Sequence, residues 1–275
     1  MEVKFIYPRW GSTDIELPIF LNKVKRNDYQ GVEIDLPLNR EKKEVISLLK
    51  DFELDFIGQH WETKEINFNK HKEKYKRHLY NLVEAEPLLI NSHTGMDFFS
   101  FSENAELIEL AFSIEKETGI VITHETHRSR FSYAAHICFR FLKEFPLLKL
   151  TSDFSHWCCV AETLLENQKE ATDLAIKHTY HIHARVGSAQ SPQVIDPRSD
   201  TYFPELTQFK KWWLAMFENA QKEQRSFITV TPEYGPFPYA LLHPKTNELL
   251  TEQMEINQFI KADLVKYWGK VCQNE

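Results

Sequence analysis

Eight short strand patterns, each followed by a helical one, run the length of this 275-residue chain, and that alternation limits its possible folds more than any other feature. The strand patterns are Val3 to Tyr7, Gly31 to Leu36, Leu54 to Trp61, Leu88 to His93, Ile120 to Glu125, Leu147 to Asp153, Thr179 to Val186 and Phe227 to Glu233. Between them lie stretches with apolar residues at helical spacing, such as Leu17, Phe20, Leu21 and Val24, and a further helix is expected near Val160 to Gln168. Strands separated by helices predict βαβ units and a parallel sheet. Eight units in 275 residues match a closed (β/α)8 TIM barrel, an α/β fold, as a single domain over 1–275. An open doubly wound sheet is the alternative. No Gly-rich phosphate loop follows the first strand, however, and 8 glycines leave little of that chemistry.

Charge and composition narrow the function. The net charge is −7 with no lysine or arginine cluster, so a nucleic-acid partner is not expected. No apolar run approaches the roughly 18 residues that span a bilayer. The first residues run directly into a strand without a leader pattern, and a cytoplasmic protein without membrane contact is expected. Cys138, Cys158, Cys159 and Cys272 form no CxxC pair and read as reduced thiols.

The polar residues are not spread evenly over the strands. Strand interiors are apolar and often β-branched. Strand ends carry Glu33 and Asp35, His60, His93, Glu125 and His127, Asp153 and His156, His183 and Arg185, and Glu233. In a barrel of this kind, chemistry sits at the C-terminal strand ends and in the loops just after them. Side chains alternate along a strand, so Thr123, Glu125 and His127 share a face, as do His181, His183 and Arg185, and Thr229, Thr231 and Glu233. Convergence of four ends would bring Glu125, Asp153, His183 and Glu233 to one point. Any one of these carboxylates alone is more simply a helix N-cap or a loop solvator. Three in one barrel mouth repel one another unless a cation lies between them. The set is hard and oxygen-rich, which suits one Mn²⁺, Mg²⁺ or Co²⁺, with Zn²⁺ as the alternative.

In strand order and in these ends the chain resembles the xylose-isomerase-like TIM barrels, the sugar phosphate isomerase/epimerase superfamily that includes ketose 3-epimerases and endonuclease IV. The match rests on the glutamate ending strand five, the Asp-x-x-His ending strand six, the histidine ending strand seven and the glutamate ending strand eight. Here these are Glu125, Asp153 with His156, His183 and Glu233. The resemblance implies a divalent-metal-dependent isomerase or epimerase acting on a sugar, sugar acid or polyol. Glu125 and Glu233 would exchange a proton beside a carbonyl through a metal-stabilised enediolate. His156 and Arg185 would bind substrate or support the ligands. His60, His93, His127 and Trp157 complete the expected substrate pocket.

Two departures bear on substrate. Where ketose 3-epimerases carry a further glutamate after the first ligand, this chain has His127, Arg128 and Arg130, which predicts a more anionic substrate. His60 and His93 match zinc ligands of the endonuclease by position, but the Asp-x-His that follows strand seven there is missing from Gly187 to Pro204. The other readings are a metal-dependent hydrolase of the endonuclease IV type and a carbohydrate-binding barrel without turnover. Trp10, Trp61 and Trp157 are expected to wall the pocket. The long Gly187–Pro204 connection is expected to act as a lid or to face a partner in a homodimer.

Overall fold

The computed structural model describes the backbone of residues 1–273 and side chains as far as Trp268, so Cys272 lies outside the described side chains. Eight parallel strands close into a barrel in sequence order, β1-β2-β3-β4-β5-β6-β7-β8, with β8 pairing back to β1. They are β1 (Glu2–Pro8), β2 (Gly31–Ile34), β3 (Asp55–His60), β4 (Leu89–Ser92), β5 (Ile122–Glu125), β6 (Leu150–Ser152), β7 (Thr179–Ala184) and β8 (Phe227–Pro232). The helices α1 (Leu17–Arg26), α2 (Glu41–Asp51), α3 (Phe68–Val83), α4 (Phe101–Thr118) and α5 (Ala135–Glu144) follow the first five strands in turn. α6 (Phe154–Ala161) and α7 (Lys169–Lys177) both follow β6, and α8 (Phe203–Lys222) and α9 (Gln253–Gln273) complete the ring. No described helix is long and apolar enough to cross a membrane.

The double helix after β6 corrects the expected single helix near Val160 to Gln168. Asp153 caps α6 directly off the strand, its side chain accepting from Ser155 N. Glu162 then ends the helix in the left-handed conformation at φ 54°. A second start is therefore needed before the chain returns to β7.

Alternation along the strands sorts side chains into two layers. Phe5, Tyr7, Val32, Ile90 and Ile122 face the helices and join one large buried cluster with Phe20, Leu79, Leu107 and Trp213. Ile6, Ile57 and Leu89, with Val121 against them, form a separate small apolar plug inside the barrel. Above the plug the barrel interior departs from the expected apolar strands. Glu33, Asn91, Thr123, Thr151, His181, Thr229 and Thr231 are all buried there. They persist because they satisfy one another: Thr123 and Thr151 hydroxyls meet at 2.6 Å, and His181 Nδ1 bonds Thr229 Oγ1 at 2.8 Å.

Trp157 belongs to the outer layer and not to the pocket expected for it. It is fully buried, stacks on Phe154 with ring centroids 4.8 Å apart, and donates Nε1–H to Ser132 O at 2.7 Å. Trp157→Ala is expected to cost about 3–5 kcal/mol of stability, the usual price of emptying such a site. Denaturant unfolding measures this, and a loss below about 1 kcal/mol would place the ring outside the core.

Candidate metal centre at the barrel mouth

The four groups singled out from the strand ends do converge. Glu125, Asp153, His183 and Glu233 are buried, and each offers a ligand atom within 4.8 Å of the others. Glu125 Oε2 accepts from Asn91 Nδ2 at 2.9 Å and His93 Nε2 at 2.8 Å. Asp153 Oδ1 accepts from the amide and hydroxyl of Ser155 at 2.9 and 2.5 Å. Its Oδ2 takes both Nε and Nη2 of Arg185 at 3.0 and 2.7 Å, and the same Nη2 donates to Glu233 Oε2 at 2.6 Å.

Glu33 forms a floor beneath these groups. It accepts from Asn91 Nδ2 at 2.8 Å, Thr231 Oγ1 at 2.7 Å, His181 Nε2 at 3.2 Å and His183 Nε2 at 3.0 Å. Burial opposes its charge, but His183 and His181 outweigh that and hold its carboxyl well below the usual range. Because Glu33 only accepts, it fixes the proton of His183 on Nε2 and turns Nδ1 into the centre. That Nδ1 lies 2.9 Å from Glu233 Oε2 and 3.6 Å from Glu125 Oε2, yet it has no aligned hydrogen bond. A buried imidazole nitrogen without an aligned hydrogen bond, set among three carboxylates, is the donor chemistry of a divalent-cation site, and these residues fit one.

Electrostatics of the ring follow from its neighbours. Burial works against a charged His183, but Glu233, Glu33 and Glu125 overcome it and raise the imidazole well above its ordinary value. Burial likewise works against ionised Glu125, and His93 and His183 bring it well below its ordinary value. Burial pushes Asp153 upward despite Arg185.

A cavity of about 220 Å³ opens above the centre, lined by Arg9, Trp10, Asp35, Gln59, Trp61, His93, Glu125, His127, Arg185, Glu233 and Tyr239. That volume is below the range for drug-sized ligands and suits a small metabolite. Arg185 lies over the rings of Trp10 and Tyr239, at 5.5 and 4.8 Å.

No family model matches the chain, and no curated protein matches it in sequence. Solved structures do match. A probable 3-DHS dehydratase, AsbF, from Bacillus anthracis superposes with a TM-score of 0.61 at 14% identity, covering 95% of this chain and 98% of that one. A xylose isomerase domain containing protein from Salmonella typhimurium LT2 gives 0.62 at 13% identity, with 96% of each chain covered. A family 2 AP endonuclease from Brucella melitensis gives 0.57 at 12% identity, covering 86% and 93%. In fold, the chain is a (β/α)8 TIM barrel similar to these three structures.

The remaining expected residues fall in different places on this barrel. His93 and His127 line the cavity with rings 4.4 Å apart. His156 lies under His127 at 4.0 Å, fully buried, with Nε2 3.6 Å from Asp153 Oδ2. Burial holds His156 neutral, and it stands behind a ligand, away from the cavity lining. His60 is turned out of the barrel. Ser92 and Thr63 occupy its two nitrogens at 3.0 and 2.7 Å, so neither the substrate pocket nor an endonuclease-type zinc has use of it. Arg130 is also structural: it is buried and donates to the carbonyls of Thr63, Gly95 and Trp61. Of the three tryptophans, Trp10 and Trp61 line the cavity. The 187–204 connection is pinned at its middle, where Gln193 bonds both N and O of Gly235 and Tyr234 donates to Ile195 O. None of its residues lines the cavity above the centre.

Proposed function

We propose that this barrel is a divalent-metal-dependent isomerase or epimerase of a small sugar, sugar acid or polyol. The observation that carries the reading is the convergence of Glu125, Asp153, His183 and Glu233, with Nδ1 of His183, which makes no aligned hydrogen bond, aimed among the carboxylates. A bound Mn²⁺, Mg²⁺ or Co²⁺ would polarise the substrate carbonyl and acidify the neighbouring C–H. Glu125 ends β5, Glu233 follows β8, and both reach the cavity, so one removes the proton and the other returns it from the opposite side. His93 fixes Glu125 through Oε2, leaving Oε1 for the substrate. Trp10 and Tyr239 shield the carbon face from water, and Arg9 and Arg185 supply positive charge to a carboxylate-bearing substrate.

Elemental analysis of wild type and Asp153→Asn tests the reading. About one Mn, Mg, Co or Zn per chain is expected, with chelation abolishing turnover and Asp153→Asn binding metal at least ~10-fold more weakly. Three zinc ions would move the assignment to a hydrolase of the endonuclease IV type. Absence of metal under every loading condition would sink the isomerase reading.

A further inference from the structure

Asp153 has no acceptor capacity left. An ionised carboxylate offers about four lone-pair positions. Here Ser155 N and Oγ take Oδ1, and Arg185 Nε and Nη2 take Oδ2. Arg185 Nη2 also claims Glu233 Oε2, so one guanidinium bridges two of the four groups that would hold the ion. Two cations cannot share these oxygens at hydrogen-bonding distance without strong repulsion.

We propose that Arg185 is an internal counter-ion that competes with the divalent cation for Asp153 and Glu233, so that metal binds only as the guanidinium lets those carboxylates go. The inference rests on the metal-dependent reading above. The structure provides for the released guanidinium. It already packs over Trp10 and Tyr239 and lines the cavity, and its Nη1 is a buried donor with no partner. Filled by Arg185, the acidic ring is stable without metal. Filled by metal, it frees an arginine for an anionic group of the substrate. By linkage, an anion that holds Arg185 in the cavity tightens metal binding, and metal tightens anion binding by the same factor.

The test is Mn²⁺ affinity, by calorimetry or competition with a fluorescent chelator, for wild type, Arg185→Met and Arg185→Lys. Arg185→Met is expected to bind Mn²⁺ about tenfold or more tightly than wild type, at least the worth of one charge-assisted hydrogen bond. Metal-free, the same variant should melt below wild type, and Mn²⁺ should raise its melting temperature further than it raises that of wild type. Should Arg185→Met fail to fold, Arg185→Lys is read the same way, because an ammonium keeps the charge but cannot bridge both carboxylates in the same geometry. Equal affinity overturns the proposal. Affinity weakened ~10–100-fold also overturns it, and makes Arg185 a support for the ligands. A wild type that binds metal, with variants no tighter, defeats only this inference. Failure of all three proteins to bind defeats the metal-dependent reading as well.

Discussion

Glu233→Gln is expected to lower turnover by roughly 10²–10⁴-fold, the contribution of a positioned acid or base, and Glu125→Gln by a similar factor. Both side chains line the cavity and both are buried, so each amide keeps the shape of the site while losing the proton carrier; since each is also a proposed ligand, the comparison is made at saturating metal. The assay is proton exchange in D₂O on substrates found by screening sugars and sugar acids, followed by NMR at the carbon beside the carbonyl. Wild type should wash deuterium in and interconvert the two products. Each single variant should stop interconversion, and the variant that keeps the abstracting glutamate should still exchange deuterium into the starting compound. Full turnover in either variant would remove that residue from proton transfer. Intact ligand affinity in a wild type that exchanges no protons would leave a binding barrel without chemistry.

Strand alternation explains both the success of the sequence reading and its errors. Counting in twos from the apolar plug, Thr123, Glu125 and His127 face inward on β5, and His181, His183 and Arg185 on β7. The same count on β3 runs Ile57, Gln59, Trp61, which puts His60 on the outer face against α3. A histidine at a strand end looks like a site residue until its parity is checked. Parity also marks Glu33, two residues after Gly31 on β2 and two before Asp35 in the loop that follows. A carboxylate inside the strand at an inward position is costly to bury without partners, which is the signal that sets Glu33 apart from the other strand-end residues.

Other features were not legible for physical reasons. Asp153 carries both the modest reading and the specific one, since Oδ1 caps α6 while Oδ2 faces the centre. No residue pattern distinguishes a cap from a ligand when one side chain does both. Tyr239 comes from an irregular loop after β8, where no periodicity announces it, yet it packs on Arg185 and Arg128. Arg130 and Trp157 have side chains suited to a pocket wall, and only the tertiary path of the loops after β3, β4 and β5 shows that they are packed elsewhere.

Acid is expected to destabilise the protein well above the pH at which carboxylates titrate. His60 and His124 are fully buried outside the barrel and joined through Ser92 and Thr94 hydroxyls, with His124 Nδ1 2.7 Å from Thr94 Oγ1. Burial, and then Arg130, hold His60 well below its ordinary value. Burial, and then Lys149, bring His124 down to about 3. In the unfolded chain both titrate near ~6.5. Between those limits the unfolded state binds more protons than the folded one, so stability rises with pH across the interval and is lost as pH falls below ~6.5. His124 alone contributes about 1.4 kcal/mol per pH unit, on the order of 2–3 kcal/mol between pH 6.5 and 4.5, and His60 adds to the loss in the same direction. Below ~4.5, Glu33 and Glu125, whose folded values are depressed, add to the loss in the same direction. Urea unfolding at pH 7.5, 6.5, 5.5 and 4.5 measures the slope, and His124→Asn should reduce it by about 1.4 kcal/mol per pH unit in the 6.5–4.5 interval, leaving the part due to His60 and the other buried imidazoles. A flat profile there would mean that the folded protein protonates these imidazoles in place, which the hydroxyl network around them gives no carboxylate to stabilise.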